Sequence, residues 1–143
     1  MKRAWLVLHY QLPREPSAPR VSTWRKLKKL GAVLVNETFW VLPENNRTRE
    51  HFRWLAASIL EHGGQVSVFS GSSVLVGQDE TLKQLFLELI ELAYQDILKS
   101  LEQEDPDLLA LSRQFQTVLA QDHLKSALGK RVKEALEQAR GNA

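Results

Sequence analysis

The chain has 143 residues, of which 43% are hydrophobic and 25% are charged, and these values are typical of one folded domain rather than of a disordered chain. No apolar run approaches the ~20 residues that a membrane-spanning helix needs. The sequence contains no cysteine, which excludes disulfides, thiolate metal sites and thiol redox chemistry. We therefore expect a cytoplasmic protein with no membrane partner.

The charges are distributed unevenly along the chain. Residues 1–76 carry eleven Lys and Arg against five Asp and Glu, whereas residues 77–143 carry eight against twelve. A basic first half is suited to contact with a polyanion or a small oxyanion. The alternative is that the two halves neutralise each other, and composition does not choose between these interpretations.

The first third of the chain predicts a strand, a loop and a helix. The apolar run Trp5–Tyr10 is typical of a buried strand, and residues 13–19 contain three prolines and predict a loop. Ser17 is predicted to cap a helix that ends at Gly31. Its predicted buried face consists of residues at helical spacing: Val21, Trp24 and Leu27.

The next segment predicts a hairpin, a helix and a strand. Residues 32–35 and 39–42 are β-prone runs around a short polar joint. Asn45 or Asn46 is predicted to cap the second helix, and Gln65–Phe69 alternates like a half-buried strand. The helix carries an apolar stripe of Phe52, Leu55, Ala56, Ile59 and Leu60. The order β-α-β-β-α-β predicts an α+β fold, a ferredoxin-like head with a four-stranded antiparallel sheet and both helices on one face.

The remainder predicts about three C-terminal helices. The second is predicted to begin at Asp105-Pro106 and the third at Asp122. The first carries the predicted buried stripe Leu82, Leu85, Phe86, Leu89 and Ile90. We thus expect a head over residues 1–76 and a helical tail over 77–143, packed on the head or extending from it. The second face of the sheet needs a cover, so we also expect a homodimer unless the tail supplies it.

An ordered series of short motifs resembles the N-terminal domain of the chromate-resistance protein ChrB family. The motifs include Trp5-Leu-Val-Leu-His-Tyr-Gln-Leu-Pro13, Trp24-Arg25, Leu30-Gly31-Ala32-Val33, Val41-Leu42-Pro43, Trp54-Leu55 and Gly63-Gly64. The resemblance implies a ferredoxin-like head and a regulatory role in chromate resistance, through binding DNA or sensing the oxyanion. The resemblance also implies a further C-terminal domain in typical members of the family, and we expect the given sequence to end before it.

The sequence supplies no catalytic centre. The fold is similar to that of the CRISPR-associated Cas2 nucleases, whose first strand ends in Tyr-Asp with the Asp as metal ligand, but here the pair is Tyr10-Gln11. A neutral glutamine is a weak ligand for Mg²⁺, so we expect no enzyme, with a degenerate nuclease as the least favoured alternative. The four histidines lie in different elements without metal-ligand spacing, and we expect neither metal nor cofactor.

Basic residues around the two predicted helices of the head are the candidate site. Arginine suits bidentate contact with phosphate or a tetrahedral oxyanion. The predicted set for nucleic-acid or oxyanion binding is Arg14, Arg20, Arg25, Lys26, Lys28, Lys29, Arg47 and Arg49. The predicted partners are DNA and chromate or a similar oxyanion. Two alternatives remain open: a solvated basic surface, and an oligomeric interaction module that binds through its C-terminal helices.

Overall fold

The computed structural model describes residues 3–141 and divides into two compact units, Met1–Leu82 and Lys83–Ala143. The first unit contains four strands and two complete helices: β1 (Ala4–Gln11), α1 (Ala18–Leu30), β2 (Val33–Val35), β3 (Phe39–Pro43), α2 (Asn46–Glu61) and β4 (Gln65–Ser72). Helix α3 (Gln78–Leu101) begins in the first unit, and α4 (Leu108–Gln121) and α5 (Ala127–Gly141) belong to the second. The predicted α+β class and βαββαβ order are confirmed.

The four strands form one antiparallel sheet in the order β2-β3-β1-β4. The central strand β1 pairs with β3 at Leu6 and Leu42 and with β4 at Leu6 and Ser70. Strands β1 and β2 are parallel across β3, as are β3 and β4 across β1. The two helical connections are therefore crossovers, and right-handed crossovers place α1 and α2 on the same face of the sheet.

The helix-covered face of the sheet is the apolar core of the first unit. Leu6, Leu8 and Leu42 are at most 2% exposed, and Trp40 is also buried. Helix α2 buries Phe52, Leu55 and Ile59, whereas Leu60, which we predicted on this stripe, is exposed. β4 extends to Ser72, three residues beyond the predicted end, and is mostly exposed because it is an edge strand.

Local signals place the ends of the head helices. Gly31 ends α1 in the left-handed region (φ 81°), where its N–H donates to the carbonyls of Leu27 and Lys28, and this confirms the predicted cap. Asn45 caps α2: its side chain accepts from the N–H of Thr48, and the Thr48 hydroxyl accepts from the Asn45 N–H. Ser17 is the N-cap residue of α1, as predicted, but its side chain makes no capping hydrogen bond.

The beginning of α3 lies over the second face of the sheet. The Trp5 indole donates to the Asp79 carboxylate at 2.7 Å. Trp5, Val7, Val41 and Leu82 take part in lining a cavity of about 260 Å³ there. Trp5 and Val41 are consequently buried although they lie opposite the helix-covered side.

The second unit has its own apolar core. Ile90, Tyr94 and Ile97 of α3, Leu111, Phe115 and Val118 of α4, and Val132 and Leu136 of α5 form one buried cluster. Leu89 is 55% exposed, so its predicted burial is wrong. The buried stripe is narrower than predicted, because Phe86, Ile90, Tyr94 and Ile97 already form a continuous helical face.

Two predicted helix starts in the second unit are also wrong. Helix α4 is capped by Asp107, which accepts from the N–H of Ala110 at 3.1 Å, and not by Asp105. Asp122 closes α4 instead of opening α5. Its buried carboxylate accepts from the Tyr94 hydroxyl at 2.9 Å and from the Ser126 N–H at 3.0 Å.

Candidate functional site

Helix α1 exposes an aromatic side chain that sequence periodicity places in the core. Trp24 is 49% exposed and Val21 is 46% exposed, whereas Thr23 and Leu27 are buried. The prediction failed because residues at three-residue steps drift around a helix by about 60° at each step. Val21, Trp24 and Leu27 therefore span an arc of about 120°. The neighbouring elements cover only the Leu27 side of this arc, so Leu27 alone of the three is buried.

The outward position of Trp24 helps to form an open groove of about 850 Å³ between α1, the end of β1 and the β2–β3 hairpin. Its wall includes exposed and half-buried side chains of several chemical types. The lining residues include Tyr10, Gln11, Arg14, Ser17, Arg20, Trp24, Glu37, Thr38 and Trp40. A concave surface that combines apolar, aromatic and charged groups is the usual form of a small-ligand site.

Arg14 and Arg20 bring positive charge to this groove from both ends of the proline loop. Burial raises the pKa of Tyr10 above the ordinary 10.0 of a tyrosine, and the positive charge of Arg20 partly offsets that rise. Arg20 is thus close enough to Tyr10 to act on its electrostatics. The phenol stays protonated at neutral pH and is available as a hydrogen-bond donor.

A third cation, Lys28, lies beside Trp24. The ammonium of Lys28 is 5.3 Å from the centroid of the Trp24 ring, within the range of a cation–π interaction. Arg20, Trp24 and Lys28 follow one another at four-residue spacing, so they share one face of α1. This face presents a basic, aromatic and basic series, which we call the α1 stripe.

The other predicted cations lie outside the groove. Arg25, Lys26 and Lys29 line a shallow exposed surface next to it, together with Val21 and Ser22; we call these three cations the α1 crest. Arg47 is exposed in the first turn of α2. Arg49 forms an ion pair with Glu44 at 2.6 Å, which engages its guanidinium within the protein.

The structure therefore brings Arg14, Arg20 and Lys28 together around Trp24, gathers the α1 crest beside them, and leaves Arg47 and Arg49 on another helix. Tyr10 and Trp24 are functional candidates that sequence reasoning missed. The sequence carried no signal for the orientation of Trp24, because helical periodicity gives the relative angles of side chains on α1 and not the angle that packs against the sheet.

Acidic side chains are sparse in this region. Among the described residues that line the groove, Glu37 is the one carboxylate. Within residues 3–141, no group of three or more His, Cys, Asp or Glu side chains is arranged to hold a metal ion. The helices in that part of the chain also include none that is long and apolar enough to cross a membrane.

Comparison with known proteins identifies the relatives of this chain. The family described as "Protein ChrB, N-terminal" matches residues 20–100, which is more than half of the chain. The chain belongs to the ChrB N-terminal family. The matched region of the family begins at Arg20, so it includes the α1 stripe and the α1 crest. Tyr10 and Arg14 lie before the matched region.

A curated relative is Protein ChrB of Cupriavidus metallidurans. It is 30% identical over 83 residues, which cover 58% of this chain and 26% of the relative. The chain therefore matches about a quarter of the length of that relative. No solved structure matches the chain at a significant level.

Proposed function

We propose that this chain is a chromate-resistance-associated regulatory protein whose head binds anions, chiefly the phosphates of DNA, without catalysing a reaction. The observation that carries the proposal is that Arg14 and Arg20 line one groove, with Lys28 over the Trp24 ring in its wall and the α1 crest directly beside it. The groove arginines can hold one anion while the three cations of the α1 crest contact phosphates of a DNA backbone.

The ionic state of these arginines supports the proposal. Within the described residues, Arg14, Arg20 and Arg25 form no ion pair with a carboxylate, whereas Arg49 and Arg53 pair with Glu44 and Glu50. An arginine without an internal carboxylate can offer its full bidentate geometry to a phosphate. The net charge of residues 1–82 is about +4, from eleven basic and seven acidic residues, and it attracts a polyanion at long range.

The chromate part of the proposal is supported by membership of the ChrB family. A tetrahedral oxyanion has the same donor requirements as a phosphate. Arg14, Arg20 and the Ser17 hydroxyl all line the groove at the start of α1, where the helix N-terminus also favours negative charge. The oxyanion is thus proposed to bind at Arg20, and the α1 crest is proposed to contact the DNA backbone.

Binding of a DNA duplex at two salt concentrations tests this division of roles. We expect binding that weakens steeply with salt, and an Arg25→Gln/Lys26→Gln/Lys29→Gln variant with weaker binding and a shallower salt dependence. Arg53→Gln, which removes an exposed and ion-paired arginine, is the matched control. The triple variant retaining parental affinity and salt slope would exclude the α1 crest.

Titration of the protein with chromate and with sulfate tests the proposed oxyanion site. Arg20→Gln is expected to abolish oxyanion binding and to leave the DNA salt slope intact, because it removes a groove residue and not a crest residue. Equal oxyanion affinity in parent and variant would contradict the proposed place of the anion.

A second candidate function, oligomeric association through the C-terminal helices, is favoured by exposed leucines on α3. Leu89 and Leu92 are 55% and 61% exposed, and they lie three residues apart on the side away from the buried stripe. A second copy of the chain could bury these two leucines in a homodimer. Sedimentation of the parent and of Leu89→Asp/Leu92→Asp tests it: a dimer lost in the variant supports association, and a monomeric parent excludes it.

A further inference from the structure

The four tryptophans differ sharply in exposure. Trp5 and Trp40 are 2% and 4% exposed and belong to the core, whereas Trp24 is 49% exposed and Trp54 is 77% exposed. Trp24 alone of the two exposed ones lies in the groove. Trp24 stays half exposed although the Lys28 ammonium lies over its ring. An exposed aromatic side chain beside cations is the composition of a surface that stacks nucleobases.

The groups around Trp24 match the parts of a nucleotide. Stacking on an aromatic ring accepts any base, because every base has a π-face. Arg14 and Arg20 supply donors for a phosphate. Gln11 and Thr38 add amide and hydroxyl groups in the same groove, and these can meet the polar edge of a base.

Glu37 supports a particular kind of ligand. It lines the groove, so a second phosphate at its position would meet a like charge. An amino or imino group of a base would instead donate to its carboxylate. The groove is therefore better suited to one base and one phosphate than to a continuous row of phosphates.

We propose that the groove binds an unpaired nucleotide, with its base stacked on Trp24 and its phosphate held by Arg14 and Arg20. The inference deepens the proposed anion-binding function and rests on it. A duplex keeps its base faces stacked inside the double helix, so it can offer phosphates to the α1 crest but no free face to Trp24. A groove of about 850 Å³ is large enough for such a ligand.

The test compares three probes with the full chain: a 12-nucleotide single strand without self-complementarity, the matching duplex, and a free nucleoside monophosphate. Binding of each is measured for the parent, for Trp24→Leu and for Trp54→Leu. We expect Trp24→Leu to weaken binding of the single strand about tenfold. Trp54→Leu, which removes a more exposed tryptophan outside the groove, should change it less than about twofold.

Tryptophan fluorescence gives an independent readout. The single strand should quench the emission of the parent and of Trp54→Leu, and this quenching should be lost in Trp24→Leu. Circular dichroism checks that the variants fold. Trp24→Phe, which keeps an aromatic face, is expected to recover part of the affinity, and equal affinity of Trp24→Phe and Trp24→Leu would contradict stacking.

The outcomes separate this inference from the function on which it rests. Tight binding of the monophosphate that also depends on Trp24 would support the nucleotide site and identify a free nucleotide as a sufficient ligand. Equal binding of duplex and single strand, with no effect of Trp24→Leu, would overturn the nucleotide site and leave anion binding by the head in place. No binding of any probe at low salt would overturn both.

Discussion

The two tyrosines of the chain show how differently its two units use polar chemistry. Tyr10, in the first unit, lines an open groove beside Arg20. Tyr94, in the second unit, is fully buried and donates to Asp122. Burial is the main cause that raises the pKa of both side chains, but Arg20 lowers that of Tyr10 while Asp122 raises that of Tyr94 further.

The difference extends to the packing around each ring. A Cβ added to Gly129 would lie 2.8 Å from the Tyr94 hydroxyl oxygen, so the second unit is closely packed around its tyrosine. The surroundings of Tyr10 are less closely packed, because its side chain lines an open groove. The Tyr94–Asp122 pair therefore stabilises the fold of the second unit, whereas Tyr10 lies on the wall of an open groove.

The largest expected effect contrasts two adjacent residues of α3. Ile90→Asp should lower the free energy of unfolding by about 3–5 kcal/mol, because it places an unpaired charge in the buried cluster. Leu89→Asp should change the stability of the monomer by less than about 0.5 kcal/mol, because that side chain is exposed. Urea denaturation of both variants measures the contrast. Similar losses of the free energy of unfolding would show that α3 does not bury its Ile90 side in preference to its Leu89 side.

A smaller effect is expected for the buried tyrosine. Tyr94→Phe leaves the Asp122 carboxylate without one donor and should cost about 1–2 kcal/mol. Because the pKa of Tyr94 is raised in the folded state, its contribution is fully present below the unfolded pKa of about 10 and is lost as pH rises above it, by about 1.4 kcal/mol per pH unit.

Denaturation between pH 8 and 11 checks this second prediction. The alkaline loss should be reduced in Tyr94→Phe and less affected in the control Tyr10→Phe, where Arg20 offsets part of the shift. An unchanged alkaline slope in Tyr94→Phe would mean that Tyr94 titrates like an exposed tyrosine.

The helix cap of α2 provides a test in the first unit. Asn45→Ala removes the acceptor for the Thr48 N–H, 2.8 Å away, and should cost about 1 kcal/mol. Asn46→Ala is the neighbouring control, and it should stay within about 0.5 kcal/mol because Asn46 is exposed in the first turn of the helix. Thermal melting distinguishes the two, and a reversal of the order would move the cap to Asn46.

The smallest effect on stability is expected at the α1 crest. Replacing Arg25, Lys26 and Lys29 together with Gln should change the free energy of unfolding by less than about 0.5 kcal/mol, because all three side chains are exposed. A loss of several kcal/mol would show that these cations stabilise α1. Weaker DNA binding by this variant would then reflect the loss of folded protein and not the loss of phosphate contacts.

Much of the fold follows from local signals that act over short distances. The βαββαβ order could be predicted because alternating apolar runs, Gly31 and the asparagines before α2 act on their own neighbours. Membership of the ChrB family could be recognised from short ordered motifs for the same reason. The sequence could not decide whether Asn45 or Asn46 caps α2, since this depends on which side chain accepts the hydrogen bond from the Thr48 N–H.

The candidate site depended more on tertiary structure. The sequence by itself identified Arg14, Arg20 and the cations of α1, because charge and residue type are visible without a fold. Only the three-dimensional arrangement decided that Trp24 faces outward, that Tyr10 shares its groove, and that Arg49 is engaged by Glu44. The physical reason is that helical periodicity gives the relative angles of side chains on α1, whereas the sheet against which the helix packs selects which of those angles is buried.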